Sequence, residues 1–349
     1  MRTPHEGLLV FYGLFLAGFA RTGFNRWKRD VKKRFSTLVG GYWAIALTTL
    51  IWGFHYVVLY EPLRMLTPRH FLTLRFGWGA ILLLLLGPRL FSLLKDLTFG
   101  QWAGLAFLAF LSTISYQISF FKAVSLLDPL TISLILSLGP LLLAVFGHIG
   151  AGERYKKSQW SGMLVVFMGT AVLVGGGAPV GSGPFWLTGL TWGALCLFLF
   201  VLQTLWSRRL LRTLPPLTVT ILPILIGGLV IALSSPKELL LSPDERVPVV
   251  YFALFYTIGI ALYLAYFLWN RALSVLGSTR TSFLVNGQPI VTALGAIVFL
   301  GKPLSFHQVA GGLLMLSGYA LFFVPEFLDK PLPLEDALDA ASNGESMPQ

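Results

Sequence analysis

The sequence predicts an all-α membrane protein of about ten transmembrane helices, arranged as two inverted five-helix repeats around a central cavity. Three observations carry this expectation. The chain of 349 residues is 55% hydrophobic and only 12% charged, with a mean hydropathy of +0.75, far outside the range of soluble domains. Closely spaced apolar runs fill the chain from Tyr42 to Pro325 and leave no room for a separate soluble domain. The second half of this region repeats part of the first in an ungapped register.

Taken in order, the chain opens with an apolar run from Gly7 to Ala20, too short to span a bilayer comfortably. A basic cluster from Arg21 to Arg34 follows at once. Positive charge directly after an apolar run opposes export, so residues 1–41 read as a basic cytoplasmic segment with an interfacial helix rather than a cleaved signal. Spans are expected near 42–61, 69–88, 101–122, 128–150, 159–176, 187–208, 217–236, 248–270, 279–300 and 306–325. Helix is the state in which a lipid-exposed apolar run satisfies its own backbone. Stops such as Asp128-Pro129, Pro215-Pro216 and Gly301-Lys302-Pro303 separate them. The expected domains are repeat one over 42–176, a Gly/Pro/Ser linker over 177–186, repeat two over 187–325, and an acidic disordered cytoplasmic tail over 326–349.

The net charge of +11 arises from Lys and Arg in short loops beside apolar runs, which speaks for topology and against a nucleic-acid partner. Placing the N-terminus inside puts Arg154, Lys156, Lys157, Arg208, Arg209 and Arg212 in the cytoplasm. An even number of spans then returns the C-terminus to the same side. The expected location is the inner membrane of a cell, as a multi-pass protein. Cys196, the one cysteine, lies inside an apolar run and carries no disulfide or metal chemistry.

The repeat shows in Lys122-Ala123-Val124-Ser125 against Arg271-Ala272-Leu273-Ser274, and the same offset pairs Pro140 with Pro289. It continues through Gly152 with Gly301, Gln159 with Gln308, Gly162 with Gly311 and Gly169 with Gly318. Each copy holds an odd number of spans, so the second must insert upside down relative to the first. Within the repeat, Ser133, Ser137 and Pro140 share the spacing of Ser282, Asn286 and Pro289, which sets each trio on one helix face. A proline inside a helix lacks the N–H that bonds four residues back, so a kink is expected at Pro140 and Pro289. Paired broken helices in two halves point to transport through a midplane site.

The chain resembles the EamA-type transporters of the drug/metabolite transporter superfamily. The resemblance rests on Trp52-Gly53, Pro68 with Arg75-Phe76, Leu138-Gly139-Pro140 with Gly152-Glu153, Gln288-Pro289 with Gly301, and Gly311 with Gly318. It covers residues 42 to 325 and implies a ten-span bundle that exports amino acids or other small metabolites. Lys302 stands where the second repeat of this family usually carries an acid, so either a fixed acid there is not required for what this chain does, or this chain does something different.

Candidate substrate-binding residues are Trp52, His55, Ser115, Tyr116, Gln203, Tyr263, Asn286 and Gln288, with Pro140 and Pro289 as hinges. Ser112, Ser115, Tyr116 and Ser119 share a face of the third span; Tyr256, Tyr263, Tyr266 and Asn270 lie along the eighth. Either face lines a cavity or packs against neighbours, with Tyr256 and Asn270 on the packing side of that choice. His55 is an ionisable group within a span, or a neutral imidazole bonded to a neighbour. Arg75 is the costly intramembrane charge; it either binds a substrate carboxylate or phosphate, or ties helices together through freed carbonyls. Gln203 is preferred over Gln117, which lies nearer a span end.

No Asp or Glu lies deep in a span, which argues against a carboxylate proton relay. Walker, HExxH and paired-acid signatures are missing, so no cofactor, metal or catalytic residue is expected. The sequence therefore reads as an integral membrane transporter, not an enzyme, whose partners are a small-molecule substrate and the lipid bilayer. The alternatives are a membrane-embedded lipid-modifying enzyme and a non-transporting scaffold.

Overall fold

A computed structural model describes residues 21–85, 87, 94–127, 132, 135–151, 155–175, 185–301 and 305–329. Its described residues are mostly helical, with no strand among them. The expectations for the run at 7–20, the linker, the distal tail, Ser133, Glu153 and Lys302 lie outside them. Two compact units are distinguished. Residues 41–322 hold the helical bundle, and the described residues of the second unit are 21–40 with 323–329.

The helices in order are α1 (Arg21–Val58), α2 (Pro62–Met65), α3 (Pro68–Leu84), α4 (99–126), α5 (Gly139–Ala151), α6 (Lys157–Gly175), α7 (Trp186–Leu210), α8 (Pro216–Ser234), α9 (248–276), α10 (Ser278–Val285), α11 (Gln288–Leu300) and α12 (Phe306–Asp329). Among the described residues seven stretches are long and apolar enough to cross a bilayer: in α1, α4, α7, α8, α9, the α10–α11 pair and α12. The other expected spans are represented by α3, α5 and α6. α1, Arg21–Val58, takes in the basic cluster at 21–34 as well as most of the first expected span. Helix propagation explains this: once nucleated in the apolar run, each further turn adds a hydrogen bond without a new nucleus.

Local chemistry starts several of these helices. Thr98 caps α4 and forms a reciprocal box with Gln101. Gln159 accepts from the Lys156 N–H at 3.0 Å at the start of α6, and Gln308 accepts from the Ser305 N–H at 2.9 Å at the start of α12. Pro68, Pro216 and Pro248 stand in the first turns of α3, α8 and α9, where a missing N–H is harmless.

Packing builds several apolar clusters rather than one. Phe76, Leu222 and Leu262 anchor that of α3, α8 and α9, and Ile45, Trp269 and Val285 that of α1, α9 and α10. Large apolar side chains such as Trp43, Phe198, Leu233 and Phe255 remain exposed, an arrangement stable against lipid and unfavourable in water. The chain is a multi-pass membrane protein. α6 and α12 cross antiparallel through their glycines. A Cβ on Gly162 would sit 2.7 Å from the Gly318 carbonyl oxygen, and one on Gly169 would sit 2.9 Å from that of Gly311. Only glycine permits this approach.

Candidate functional site

α10 stops at Val285 and α11 starts at Gln288, so the ninth expected span is broken, not merely kinked. Asn286 and Gly287 close α10 with tight turns: the Asn286 N–H donates to Phe283 O at 3.2 Å and the Gly287 N–H to Leu284 O at 3.1 Å. Pro289 is the second residue of α11, a position whose N–H has no intrahelical partner in any case. Near Pro140 the pattern recurs. The Leu138 N–H donates to Ile135 O at 3.2 Å, and α5 begins at Gly139 with Pro140 second. The prolines thus start the second half-helices, and the breaks lie just upstream of them. The physical reason is that a proline's fixed φ suits a helix start better than a strained interior.

The two breaks meet. The Asn286 side-chain amide donates to the Ser137 carbonyl at 3.0 Å, across a separation of 149 residues. That is the offset that aligns Pro140 with Pro289. The same separation holds for Gln117 and Tyr266, whose side chains are also hydrogen-bonded to each other. Gln117 is 4% exposed. Both α4 and α9 carry a π-helical stretch, Phe110–Ser115 and Tyr256–Leu264, a distortion that displaces side chains and frees backbone acceptors.

α1 is bolted to the π-helical stretch of α9. The Trp52 Nε1–H donates to Ala261 O at 2.9 Å, the Tyr256 hydroxyl donates to Ile51 O at 2.8 Å, and His55 Nε2 lies 2.9 Å from Thr257 Oγ1. His55 also stacks on Tyr256 with ring centroids 6.0 Å apart. On its other side α1 meets the break. Thr292 donates to Gly53 O at 2.8 Å, and a Cβ on Gly53 would lie 3.0 Å from Gln288 O. Trp52-Gly53 therefore joins the π-helical stretch of α9 to the start of α11.

Aromatic rings run on from Trp52. Tyr266 meets it edge-on at 5.0 Å, Trp269 lies 5.7 Å away, Phe200 lies 6.2 Å from Trp269, and Tyr116 lies 6.4 Å from Phe200. Arg75, 9% exposed on α3, lies within electrostatic reach of both His55 and Tyr266. Its guanidinium stands 5.3 Å from the Phe76 ring. The Tyr263 hydroxyl donates to Gly79 O and ties α9 to α3.

The structure thus places Trp52 and Tyr116 in one row of rings and ties Trp52 and His55 to the same stretch of α9, while Asn286 bonds the other break at Ser137 and Gln288 lies at the edge of its own. Ser115 and Gln203 are half-buried and make no hydrogen bond to this set among the described residues. Asn270 donates to Thr220 Oγ1 at 2.9 Å, a helix-to-helix tie. Sequence reasoning passed over Gln117, Ser137 and Thr257 as partners. Gln117 and Ser137 were legible in the repeat offset, which sets them opposite Tyr266 and Asn286; Thr257 left no such signal. Among the described residues no group of three His, Cys, Asp or Glu side chains converges to hold a metal ion.

Comparison with known proteins agrees with this architecture. The model of the EamA-like transporter family matches residues 39–175 and again 187–324. The transporter YyaM of Bacillus subtilis is 26% identical over 219 residues, covering 60% of this chain and 70% of its own. A transporter of Archaeoglobus fulgidus is 24% identical over 284 residues, covering 78% and 95%. The aromatic amino acid exporter YddG of Ancylobacter novellus is 32% identical over 98 residues, which are 28% of this chain and 34% of that one. A solved crystal structure, 23% identical, superposes with a TM-score of 0.66 over 82% of this chain and 96% of its own, which shows a shared fold. With two matches that together span well over half of its residues, the chain belongs to the EamA-like transporter family of membrane transporters.

Proposed function

We propose that this transporter exports a small metabolite, an amino acid with an aromatic or polar side chain, by alternating access. In this reading ten spans form two inverted five-helix repeats, residues 42–176 and 187–325, in the inner membrane with both termini cytoplasmic. The observation that carries it is the pair of hydrogen bonds between residues 149 apart, Asn286 with Ser137 and Gln117 with Tyr266. Bonds between equivalent positions are what a two-fold relation between repeats produces on its axis. The antiparallel crossing of α6 and α12 adds support, since Gly162 meets Gly318 and Gly169 meets Gly311, each partner being the repeat equivalent of the other's.

Trp52 and Tyr116 supply flat apolar faces for a ring, and Asn286 and Gln288 supply hydrogen bonds from the broken helix. Tyr263, Ser115 and Gln203 complete the wall when the halves move. Arg75 neutralises the substrate carboxylate, and His55 orients it. The breaks before Pro140 and Pro289 are the hinges, because two half-helices joined by a single turn pivot at lower cost than one continuous helix. An aromatic substrate is favoured by the row of rings from Tyr116 to Tyr266 and by the partial likeness to the aromatic amino acid exporter YddG.

The test is efflux from liposomes that contain only this protein and are preloaded with radiolabelled tryptophan, phenylalanine, serine or glutamate. The proposal expects efflux above that of empty liposomes, fastest for an aromatic amino acid and slowed by Trp52→Ala. Efflux equal to empty liposomes for every solute would overturn it.

A further inference from the structure

The connection from α8 to α9, residues 235–247, is folded against the first half of α3. Two short 3-10 turns shape it, Pro236–Leu239 and Pro243–Glu245. Side chains of α3 from Arg69 to Trp78 hold it. Arg69 Nε lies 3.1 Å from Glu238 Oε1, and Arg69 Nη2 donates to Ser235 Oγ at 2.9 Å. His70 Nε2 lies 3.2 Å from Leu240 O, and the Trp78 Nε1–H donates to Leu239 O at 2.9 Å. The Leu239 side chain is seated over Gly77, where an added Cβ would come within 2.5 Å of it.

This strap joins the two halves, since α3 belongs to the first family match and α8 and α9 to the second. Beneath it α3 and α8 cross at equivalent places in the repeat, around Gly79 and Gly228. A Cβ on Gly228 would run into the Phe76 carbonyl oxygen and lie 2.8 Å from Ala80 Cβ. Helices whose backbones touch at one crossing can rotate about it without parting, so that their ends close on one side as they open on the other. The strap ties the ends on one side only. At the positions equivalent to Arg69, His70 and Trp78, α8 carries Thr218, Val219 and Gly227, which cannot make the same bonds. A tie that served stability alone would be as useful at both ends, whereas a tie at one end biases which end is closed. Its bonds also suit release: the Arg69 side chain is 70% exposed and that of Glu238 30%, and exposed ion pairs are individually weak.

We infer that residues 235–247 are a latch. Seated on α3, they hold the transporter closed on the side where α3 begins, the external side in the proposed orientation, and they leave Arg69, His70 and Trp78 when that side opens. The inference rests on the alternating access proposed above.

Spin labels on Met65→Cys and Lys237→Cys, two exposed positions outside the latch contacts, report the separation of the α3 end from the strap in the full chain in lipid nanodiscs. Cys196 is buried and escapes the label. Double electron–electron resonance should give a short and a long distance. Arg69→Glu should move their ratio about two- to fivefold towards the long one, and Arg69→Glu/Glu238→Arg should restore it. A single distance, or a ratio that Arg69→Glu leaves unmoved, contradicts the latch. In liposomes, Arg69→Cys/Glu238→Cys joined by a short reversible thiol crosslinker should lose efflux about tenfold or more and regain it on reduction, because a strap held down removes the open state. Full efflux with the crosslink in place contradicts the latch as well. If wild type releases no solute, the transport reading fails, and the distance distribution still decides whether the strap opens.

Discussion

Asn286 and Ser137 occupy the same place in two halves of one chain, and the side-chain amide of the first donates to the backbone carbonyl of the second at 3.0 Å. Each lies in the turn that breaks its helix, where a carbonyl has lost its usual donor. The bond therefore does two things: it satisfies a freed acceptor and it joins the two broken helices to each other.

Replacing Asn286 by Leu leaves the Ser137 carbonyl without that donor. The expected loss is about 0.6 kcal/mol, the average for side-chain hydrogen bonds between membrane helices, and about 1.7 kcal/mol at most. Thermal unfolding in detergent checks the stability. Efflux assays should show a larger fractional loss than the stability change accounts for, and unchanged efflux would remove Asn286 from the working site.

Gln117 and Tyr266 make the second bond of this kind. Tyr266→Phe and Gln117→Leu, alone and together, form a double-mutant cycle. A coupling energy of about 0.6 kcal/mol or more is expected, because the residues share one bond. Strict additivity would show that the bond contributes nothing net.

Gly162→Ala places a methyl 2.7 Å from the Gly318 carbonyl oxygen and 2.8 Å from the Phe322 nitrogen. Both neighbours are backbone and cannot turn aside, so α6 and α12 must separate, at a cost of about 1 to 3 kcal/mol. Gly312→Ala is the control: a Cβ there meets nothing within 4 Å, and the change should be neutral or slightly stabilising through helix propensity. Melting temperatures of the two variants should diverge in this order.

Glu245 gives a pH dependence of defined sign. It lies in the connection between α8 and α9, where its carboxylate accepts the Ser242 N–H at 2.7 Å and stands 3.2 Å from His70 Nδ1. Burial raises the acid's pKa, but the bonds from Ser242 and the charge of His70 outweigh it and leave the carboxyl below its ordinary value. A depressed carboxyl stabilises the fold above its unfolded pKa, about 4.3, and loses that contribution as pH falls through the folded value. Wild type should therefore melt above Glu245→Gln at pH 7, and the difference should shrink from about pH 5 to about pH 3. A difference that grows on acidification would contradict the assignment.

Much of this was legible locally. Hydropathy over single runs gave the helical membrane class, because satisfying backbone groups in hydrocarbon is a property of each segment alone. The residues of the breaks were marked by Ser137 with Pro140 and by Asn286 with Pro289, since a proline disrupts helix wherever it stands. The family was carried by glycines and prolines at fixed spacing. The form of the break was not legible: a proline within an apolar run is compatible with a kink or with a new helix start. The choice fell to the turns at Leu138 and Gly287, the second of which lies beside Thr49 of α1.

Sequence by itself thus determined the class, most helix boundaries to within a few residues, though not the start of α1 or of α5, and the offset at which the halves correspond. Tertiary structure decided which polar groups meet. Tyr263 turned to Gly79, His55 to Thr257, and Gln117, passed over for its place near a span end, to Tyr266. The reason is physical. Whether a side chain is apolar, or a residue breaks a helix, is settled by its own atoms and near neighbours in the chain. A buried hydroxyl or amide takes whichever acceptor a distant helix brings within about 3 Å, and that depends on how every pair of helices packs.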